Sequence, residues 1–411
     1  MTRDRAYFLM LNAGHFLDHL FTLIFATVAA LALQREWGLS YSELLVYAAP
    51  GFFAFGLFSL PAGWLADRWS RDGMMVVFFI GIGLASIAAS FATTPIQISI
   101  GLLVIGIFAA IYHPVGLAIV TMRWRNTGIR LAMNGVWGNL GVASAALITG
   151  YLIDNGGWRL AFLLPGFLSI ALGVLYTLMR HDSIMHDHKA PKPTATRTAR
   201  PEAHLRHMLI RVSSIVFLTT AVSSIIFQST TFALPKMFDE RLSGLAQDMA
   251  NALSGEGQGD VATVIGALAF VVFAIASIAQ LAVGLSLDRY GPRLVFMVVA
   301  AMQILFFSLM PGLTNGWALA VALGFMLGAF GQIPINDFMI GKMASGPARA
   351  RIYGIRYVVS FSVLAAALPL IAFVHEHWGF DTLFRILAGA AVVIFCAVAA
   401  LPHRLPEPAI A

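Results

Sequence analysis

The chain has 411 residues, of which 59% are hydrophobic and only 11% are charged, with a formal net charge of +6. Soluble domains carry about 25% charged residues, so the composition excludes an ordinary soluble enzyme, and no basic patch with interleaved aromatic residues points to a nucleic acid as partner. The single cysteine excludes an intramolecular disulfide. No Cys/His spacing typical of a metal site is present, and we expect neither a metal nor a cofactor.

Apolar segments near or above the roughly 20 residues needed to cross a bilayer recur along the whole chain. They fall into two sets of six. The predicted spans are 6–33, 43–66, 73–93, 95–122, 128–152, 159–180, 208–235, 262–287, 293–312, 316–342, 352–375 and 382–401. The sequence therefore predicts an all-α integral membrane protein in which twelve transmembrane helices form two six-helix bundles.

Two polar segments interrupt this pattern. Residues 181–207 are basic and rich in Pro, Ala and Thr, which is typical of a flexible linker, so the two bundles are predicted to be 1–180 and 208–411. Residues 236–260 form the longest predicted loop on the other side of the membrane. Within it, 238–253 is compatible with a short surface helix.

The distribution of basic residues predicts the orientation. With a cytoplasmic N-terminus, most of the 26 Lys and Arg residues fall in loops on the cytoplasmic side, as the positive-inside rule requires. We expect a multi-pass protein of the inner (cytoplasmic) membrane with both termini in the cytoplasm. Its surroundings are then the lipid bilayer, and a monomer is the default expectation.

One short motif occurs at the same place in both halves, after the second and the eighth predicted helix. Its residues are Gly63, Asp67, Arg68 and Arg71 in the first copy and Gly284, Asp288, Arg289 and Arg293 in the second. The glycines allow a neighbouring helix to approach closely. The aspartates can accept hydrogen bonds from a helix start and pair with arginine. The motif predicts a conformational latch that holds the cytoplasmic ends together, and ordinary charge beside the membrane is the alternative.

The paired motif, the two six-helix halves and the central loop resemble the major facilitator superfamily over nearly the whole chain. The resemblance implies a secondary transporter that works by alternating access rather than an enzyme. No Gly-rich phosphate loop of the kind that binds ATP occurs in the sequence, so a solute or ion gradient is the expected source of energy.

The first predicted helix holds the densest group of polar residues. Asp18 and Asp337 are the only carboxylates well inside predicted spans, and His15 and His19 share one helical face with Asp18. Ionisable groups at membrane depth are costly and mark functional sites, and imidazoles titrate near neutral pH. We expect Asp18, His15, His19 and Asp337 to couple proton movement to transport. A purely structural polar cluster is the alternative.

Further polar residues on predicted spans are candidates for lining a substrate cavity. They are Tyr112, His113, Asn134, Trp137, Asn139, Gln228, Gln332, Asn336 and Arg356. Pro114 interrupts its helix next to His113, and irregular helices often line a transport path. His113 is alternatively an ordinary hydrogen-bonding residue. Arg356 either pairs with Asp337 or extends toward the membrane surface.

A narrower resemblance is found in three short segments. Gly14-His15-Phe-Leu-Asp18, Tyr112-His113-Pro114 and Gly138-Asn139-Leu-Gly141 resemble the fosmidomycin-resistance branch of the superfamily, which implies proton-driven export of drugs or metabolites. Two departures stand against a full match. Val115 replaces a glutamate common in that branch, and Ala145 and Ala146 stand where antiporters carry a Gly-Pro pair.

Together these features predict a proton-coupled exporter of a small organic solute. The alternative within transport is a proton symporter or uniporter that imports a small anionic metabolite, which Arg130, Arg356 and the histidines could attract. A membrane hydrolase using His113 or His15 with Asp18 lacks a recognisable nucleophile motif. A non-transporting membrane sensor on the same fold is the remaining alternative.

Overall fold

The computed structural model describes residues 3–124, 127–180, 203–254, 260–343 and 348–402. The helices in this part of the chain are α1 Arg3–Trp37, α2 Tyr41–Arg68, α3 Arg71–Ser90, α4 Pro95–Arg123, α5 Thr127–Gly156, α6 Trp158–Arg180, α7 Ala203–Arg241, α8 Val261–Tyr290, α9 Pro292–Leu309 and α10 Asn315–Met343. One further helical stretch, Ala348–Ala399, is divided by Gly379, whose backbone is not helical (φ 71°). We call its two parts α11 (348–378) and α12 (380–399).

The twelve-helix, all-α prediction is confirmed. The described part of the chain holds eleven helical stretches long and apolar enough to cross a membrane, and the last of these contains both α11 and α12. Most of the predicted linker, 181–202, lies outside the described residues. The described helices nevertheless follow the predicted order, with six before this segment and six after it.

The predicted end of the seventh span at residue 235 is wrong. Helix α7 continues through Pro235 to Arg241, and the short surface helix is Ser243–Ser254 rather than 238–253. Ion pairs stabilise the extra turn, because Lys236 Nζ lies 2.8 Å from Asp239 Oδ2 and 3.6 Å from Glu240 Oε1. Such i,i+3 and i,i+4 pairs let polar residues continue a helix beyond its apolar segment.

Local sequence explains where several helices begin and end. Gly38, at a φ of 65°, ends α1. Helix α2 then starts with a capping box, in which the Ser40 side chain accepts from the Glu43 backbone N–H and the Glu43 carboxylate accepts from the Ser40 backbone N–H. These bonds satisfy N–H groups that have no partner within the helix.

Each half is tied together in the same way at one end. Arg3 at the start of α1 donates to the Met179 carbonyl near the end of α6 (2.6 Å). Arg211 in α7 donates to the Ala400 carbonyl just after α12 (2.9 Å). In each bundle, an arginine of the first helix therefore binds a carbonyl group at the C-terminal end of the last helix, where a cation is favourable. We call this end, which also carries 67–71 and 288–293, the motif end.

The two halves meet along α5 and α8. A Cβ atom added at Gly150 in α5 would collide with the Ala262 carbonyl in α8, and one added at Gly266 in α8 would collide with the Ala146 carbonyl in α5. Both glycines therefore permit direct contact between the backbones of the two helices. Ala146, which stands where an antiporter would carry its Gly-Pro pair, belongs to this contact.

Further contacts join the halves at the end away from the motifs, which we call the opposite end. Ser42 Oγ in α2 lies 3.3 Å from His375 Nδ1 in α11, and His375 Nε2 is held within the C-terminal half, 3.0 Å from Glu240 Oε1 in α7. Asp154 at the end of α5 accepts from the backbone N–H of Thr263 (2.6 Å) and from its hydroxyl (2.7 Å) at the start of α8. These contacts hold the two halves together at the opposite end.

Candidate functional site

Helices α1 and α4 bring three histidines and one aspartate together. Asp18 and His19 lie about one helical turn after His15 on α1, as their spacing predicts. His113 reaches them from α4, whose α-helical backbone is interrupted between Ala109 and Tyr112. Pro114 lacks the backbone N–H that would bond one turn back, which accounts for the break. The interruption therefore lies immediately before the residue that completes the cluster.

The geometry of this cluster centres on Asp18. Its side chain is 0% exposed, and His113 Nε2 lies 3.3 Å from Asp18 Oδ2. Neither carboxylate oxygen makes a hydrogen bond of good geometry with the described residues. The ring centroid of His15 lies 5.0 Å from that of His19 and 5.2 Å from that of His113. The imidazole closest to Asp18 thus comes from α4, whereas the sequence predicted the two on α1.

The orientation of His15 is held on two sides. Its Nδ1 lies 2.8 Å from the Asn134 carbonyl oxygen, which can only accept, so Nδ1 carries the hydrogen. Its ring stacks on Tyr112 at a centroid distance of 4.8 Å. Nε2 has no hydrogen-bond partner among the described residues and faces Gly138, where an added Cβ would stand 2.6 Å away. Gly138 therefore makes room for the imidazole.

Two predicted cavity residues lie inside the N-terminal half. Asn134 and Tyr112 are both completely buried. Asn134 Nδ2 donates to Asn12 Oδ1 (3.0 Å) and to Tyr112 Oη (2.8 Å), while Tyr112 Oη donates to the Leu11 carbonyl (2.7 Å). In this conformation the two side chains support His15 and do not reach a solvent-accessible cavity.

A second polar network lies in the C-terminal half. Gln303 donates to Gln332 Oε1 (3.1 Å), and Gln332 donates to the Ser223 carbonyl (2.9 Å). Asn336 Nδ2 donates to the Gln332 carbonyl (3.1 Å), and the Asn336 side-chain oxygen lies 3.5 Å from the Thr220 hydroxyl. This network connects α7, α9 and α10. It includes the predicted Gln332 and Asn336.

The remaining predicted cavity residues are distributed between the halves. Asn139 in α5 donates to Gln280 Oε1 in α8 (3.2 Å) and so connects the two bundles. Trp137 and Gln228 are half-buried. Asp337 is half-buried in α10, and the side chain of Arg356 lies outside the described part of the chain. The predicted cavity residues therefore divide into a cluster in each half and one bridge between them.

The first copy of the motif forms a local ion pair at the surface. Arg71 Nη2 lies 2.5 Å from Asp67 Oδ1, and the Asp67 side chain is 67% exposed. Gly63 does face a neighbour closely, since an added Cβ would lie 3.3 Å from Pro114 Cβ. Arg68 lies over the Trp64 ring.

The second copy differs from the first. Arg293 donates to the Ala399 carbonyl (2.7 Å) and so joins α9 to α12. Asp288 and Arg289 are exposed, and Arg289 lies over the Tyr290 ring. A Cβ added at Gly284 would meet no described atom within 4 Å in this conformation, so the close approach of a helix there stays a prediction.

Sequence reasoning missed Asp154 and Gln280. Asp154 caps the start of a helix in the other half, where the residue preceding α8, Asp260, makes no capping bond with its own side chain. A carboxylate at a helix start is favourable because it meets unpaired N–H groups. The motif aspartates were expected to accept hydrogen bonds from a helix start in this way. In this conformation Asp154 makes such a bond at the opposite end of the molecule.

The three imidazoles are the described groups best placed to share a metal ion. The candidate ligand atoms of His15, His19 and His113 all lie within 4.8 Å of one another. Zinc–nitrogen bonds are about 2.0–2.1 Å long, so tetrahedral ligation would require the rings to draw closer together. The same three groups can instead exchange protons with Asp18 without any ligand.

The fold defines a class: a helical membrane protein in two six-helix halves with a buried ionisable cluster in the first half. A family model described as Major Facilitator Superfamily matches residues 11–257 and 248–410. The chain belongs to the Major Facilitator Superfamily. The broader of the two predicted resemblances is thereby confirmed.

Individual relatives share limited sequence identity with the chain. It is 28% identical over 145 residues to the gallate transporter of Pseudomonas putida, covering 35% of the chain and 32% of that relative. The chain therefore matches about a third of the length of this relative. It is 26% identical over 367 residues to a probable 4-methylmuconolactone transporter of Cupriavidus pinatubonensis, covering 85% and 78%. These proteins are named as transporters rather than enzymes.

Solved structures share the fold. A crystal structure of a peptide transporter, POT, in complex with sulfate superimposes with a TM-score of 0.74, covering 96% of the chain and 93% of that protein at 16% identity. At this identity the likeness concerns the fold alone. It supports the twelve-helix architecture described above.

Proposed function

We propose that the protein is a proton-coupled secondary transporter that moves a small organic acid across the inner membrane by alternating access. The observation that carries this proposal is Asp18. A charge at the centre of a membrane helix costs at least about 2.5 kcal/mol, and a buried polar group without a hydrogen bond costs about 1–3 kcal/mol. Packing alone gives no reason to keep a carboxylate here, whereas a group that gains and loses a proton must be ionisable.

The three histidines give this carboxylate a route for protons. His113 lies beside Asp18, and the ring centroids of His15, His19 and His113 lie within 5.5 Å of one another. Each imidazole can accept a proton on one nitrogen and donate from the other. His15 keeps Nδ1 on the Asn134 carbonyl and leaves Nε2 free to receive a proton. Protonation of Asp18 removes its charge and makes this part of the half compatible with a closed, dry state.

The contacts between the halves support alternating access. They lie at the opposite end and along α5 and α8, while Asp67 at the motif end is exposed. With the motif end in the cytoplasm, as the positive-inside rule predicts, this conformation is closed to the outside. The motif then acts as the latch of the alternative, outward-facing state, in which the cytoplasmic ends meet.

The relatives favour an organic acid as substrate. The names of two relatives specify gallate, an aromatic carboxylate, and 4-methylmuconolactone. Away from the opposite end, Asn139 and Gln280 meet between the halves and are uncharged hydrogen-bonding amides. The exporter direction, with its resemblance to the fosmidomycin-resistance branch, stays a prediction, and uptake by proton symport is the alternative.

The test is transport by the purified protein in proteoliposomes with radiolabelled gallate and an imposed pH gradient. The Asp18→Asn variant should lose accumulation driven by the gradient while keeping downhill exchange, because it retains the side-chain shape but cannot ionise. Asp4→Asn is the matched control, since Asp4 lies on the same helix in an exposed ion pair with Arg123. The polarity of the gradient that drives accumulation decides between export and uptake.

Either of two outcomes would contradict the proposal. If Asp18→Asn still concentrates substrate against its gradient, Asp18 is structural and Asp337 becomes the next candidate for the proton. If an imposed pH gradient drives no accumulation of any small organic acid by the unmodified protein, proton coupling of this substrate class fails. A protein that binds but never transports would indicate the sensor alternative.

A further inference from the structure

Gln280 is an uncharged polar residue inside an otherwise apolar stretch of α8, where it meets the other half of the molecule. Its Oε1 accepts a hydrogen bond from Asn139 Nδ2 in α5 (3.2 Å). Both residues lie well inside their helices, away from the charged contacts of the opposite end. The bond therefore joins the halves within the membrane-length part of both helices.

The nitrogen of the same amide makes no hydrogen bond with the described part of the chain. A glutamine amide offers two N–H donors in addition to its carbonyl acceptor. Gln280 Nε2 is buried and has no hydrogen-bond partner among the described residues. Leaving such a donor unsatisfied costs about 1–3 kcal/mol. A buried donor without a partner among the described residues, at a contact between the two halves, fits an acceptor that is present for only part of a transport cycle.

Helix α5 connects this donor to the histidine cluster. Gly138 faces His15, and the next residue, Asn139, bonds to Gln280. Consecutive residues of a helix point in directions about 100° apart, so α5 presents one face to the ionisable cluster and the adjoining face to Gln280. A solute that binds Gln280 therefore contacts a residue that is bonded to the helix facing His15.

We propose that the Gln280 amide is a substrate contact, which donates a hydrogen bond to a carboxylate oxygen of the transported acid and so selects for an acceptor at that position. This inference rests on the proposed function, because it assumes an organic acid as substrate. A carboxylate accepts strongly at both oxygens. It satisfies Nε2 without displacing Asn139, so the bridge between the halves is kept in the loaded state.

Gln280→Glu is the informative variant. Glutamate keeps an acceptor oxygen for Asn139 but replaces the amide donor with a second anionic oxygen, which repels a carboxylate. Gln247→Glu makes the same chemical change at an exposed position of the surface helix Ser243–Ser254 and serves as control. The probes are gallate and its neutral amide, 3,4,5-trihydroxybenzamide, whose NH₂ group can donate where gallate can only accept.

Binding of both probes is measured by calorimetry on the purified full-length protein, with thermal unfolding in parallel. We expect Gln280→Glu to weaken gallate binding at least tenfold while the amide binds as well as or better than before, so that the preference reverses. Gln247→Glu should change neither affinity. Unchanged gallate binding in Gln280→Glu would overturn the assignment and leave the proposed function standing.

Two other results are equally decisive. Equal weakening of both probes together with a lower unfolding temperature would show that Gln280 only holds the halves together, which overturns the contact. If the unmodified protein binds no aromatic acid, the substrate class proposed above fails, and this assignment fails with it. Only a reversal of preference between acid and amide supports the contact.

Discussion

The contact between Asp154 and the start of α8 makes a specific prediction about the conformational equilibrium. Asp154 belongs to the N-terminal half, yet it accepts from the Thr263 backbone N–H at 2.6 Å and from the Thr263 hydroxyl at 2.7 Å. It therefore supplies a cap to a helix of the other half. Opening the opposite end separates these groups. Asp154→Ala should accordingly favour the state that is open at that end.

The magnitude follows from the geometry and the exposure. Hydrogen bonds to a charged group contribute about 1.5–3 kcal/mol, and a carboxylate at a helix start adds about 0.3–1 kcal/mol. Asp154 is exposed, so water and salt screen the interaction and a net value of about 1 kcal/mol is appropriate. Since 1.4 kcal/mol corresponds to a tenfold change, the ratio of the two states should change roughly fivefold.

The assay is a distance distribution between two spin labels at the opposite end. Ile96 at the start of α4 and Trp317 at the start of α10 are 65% and 77% exposed, and they lie in different halves. Both are replaced by cysteine after Cys396→Ser removes the native thiol. Asp154→Ala should enlarge the long-distance population, and the enlargement should shrink as salt rises, because screening weakens exposed charge interactions.

The control is Asp248→Ala, which removes an exposed carboxylate from the surface helix on the same side of the molecule. It should leave the distribution unchanged. A distribution for Asp154→Ala that matches the parent protein at low salt would refute the reasoning, as would a shift toward shorter distances. Thr263→Ala, which removes only the hydroxyl donor, should give a smaller shift in the same direction.

Two further predictions concern the cluster and the motif. Gly138→Ala places a Cβ 2.6 Å from His15 Nε2, so it should displace the imidazole, lower the unfolding temperature and abolish gradient-driven transport. Gly135→Ala, where a Cβ meets nothing within 4 Å, should change neither measurement, and equal effects of the two changes would refute the assigned packing. Asp67→Asn should shift labelled motif ends toward longer distances by weakening the latch of the alternative state. An unchanged distribution would count against that latch.

The number of membrane helices could be predicted from the sequence because each needs an apolar segment of bilayer length, and such segments are visible directly. The end of α7 could not be predicted in this way. Lys236, Asp239 and Glu240 read as a polar loop, and only their mutual ion pairs show that the helix continues. Hydrophobicity therefore predicts the membrane-spanning part of α7, whereas ion pairs between charged side chains account for its extension to Arg241.

The candidate site could also be predicted only in part from the sequence. The i, i+3, i+4 spacing of His15, Asp18 and His19 predicts one face of α1, and the structure places them there. The close approach of His113 to Asp18 depends on how α4 packs against α1, which no local pattern encodes. Gln280 could have been noticed as an amide in an apolar span, because such side chains often bond between helices. Only the structure shows that Gln280 Nε2 has no hydrogen-bond partner among the described residues.

The glycine contacts between α5 and α8 give the proposed movement of the two halves a possible pivot. Because backbone contacts backbone at Gly150 and Gly266, neither glycine has a side chain that must change rotamer when one helix rotates against the other. The contact can therefore serve as a pivot. From residue 266 to the end of α8 at residue 290, a rise of 1.5 Å per residue gives a lever arm of roughly 36 Å. A rotation of only about 10° then displaces the far tip of the helix by roughly 6 Å over that length. Any side chain at either glycine would collide with a carbonyl group of the facing helix and force the two backbones apart, so we expect it to disturb this movement.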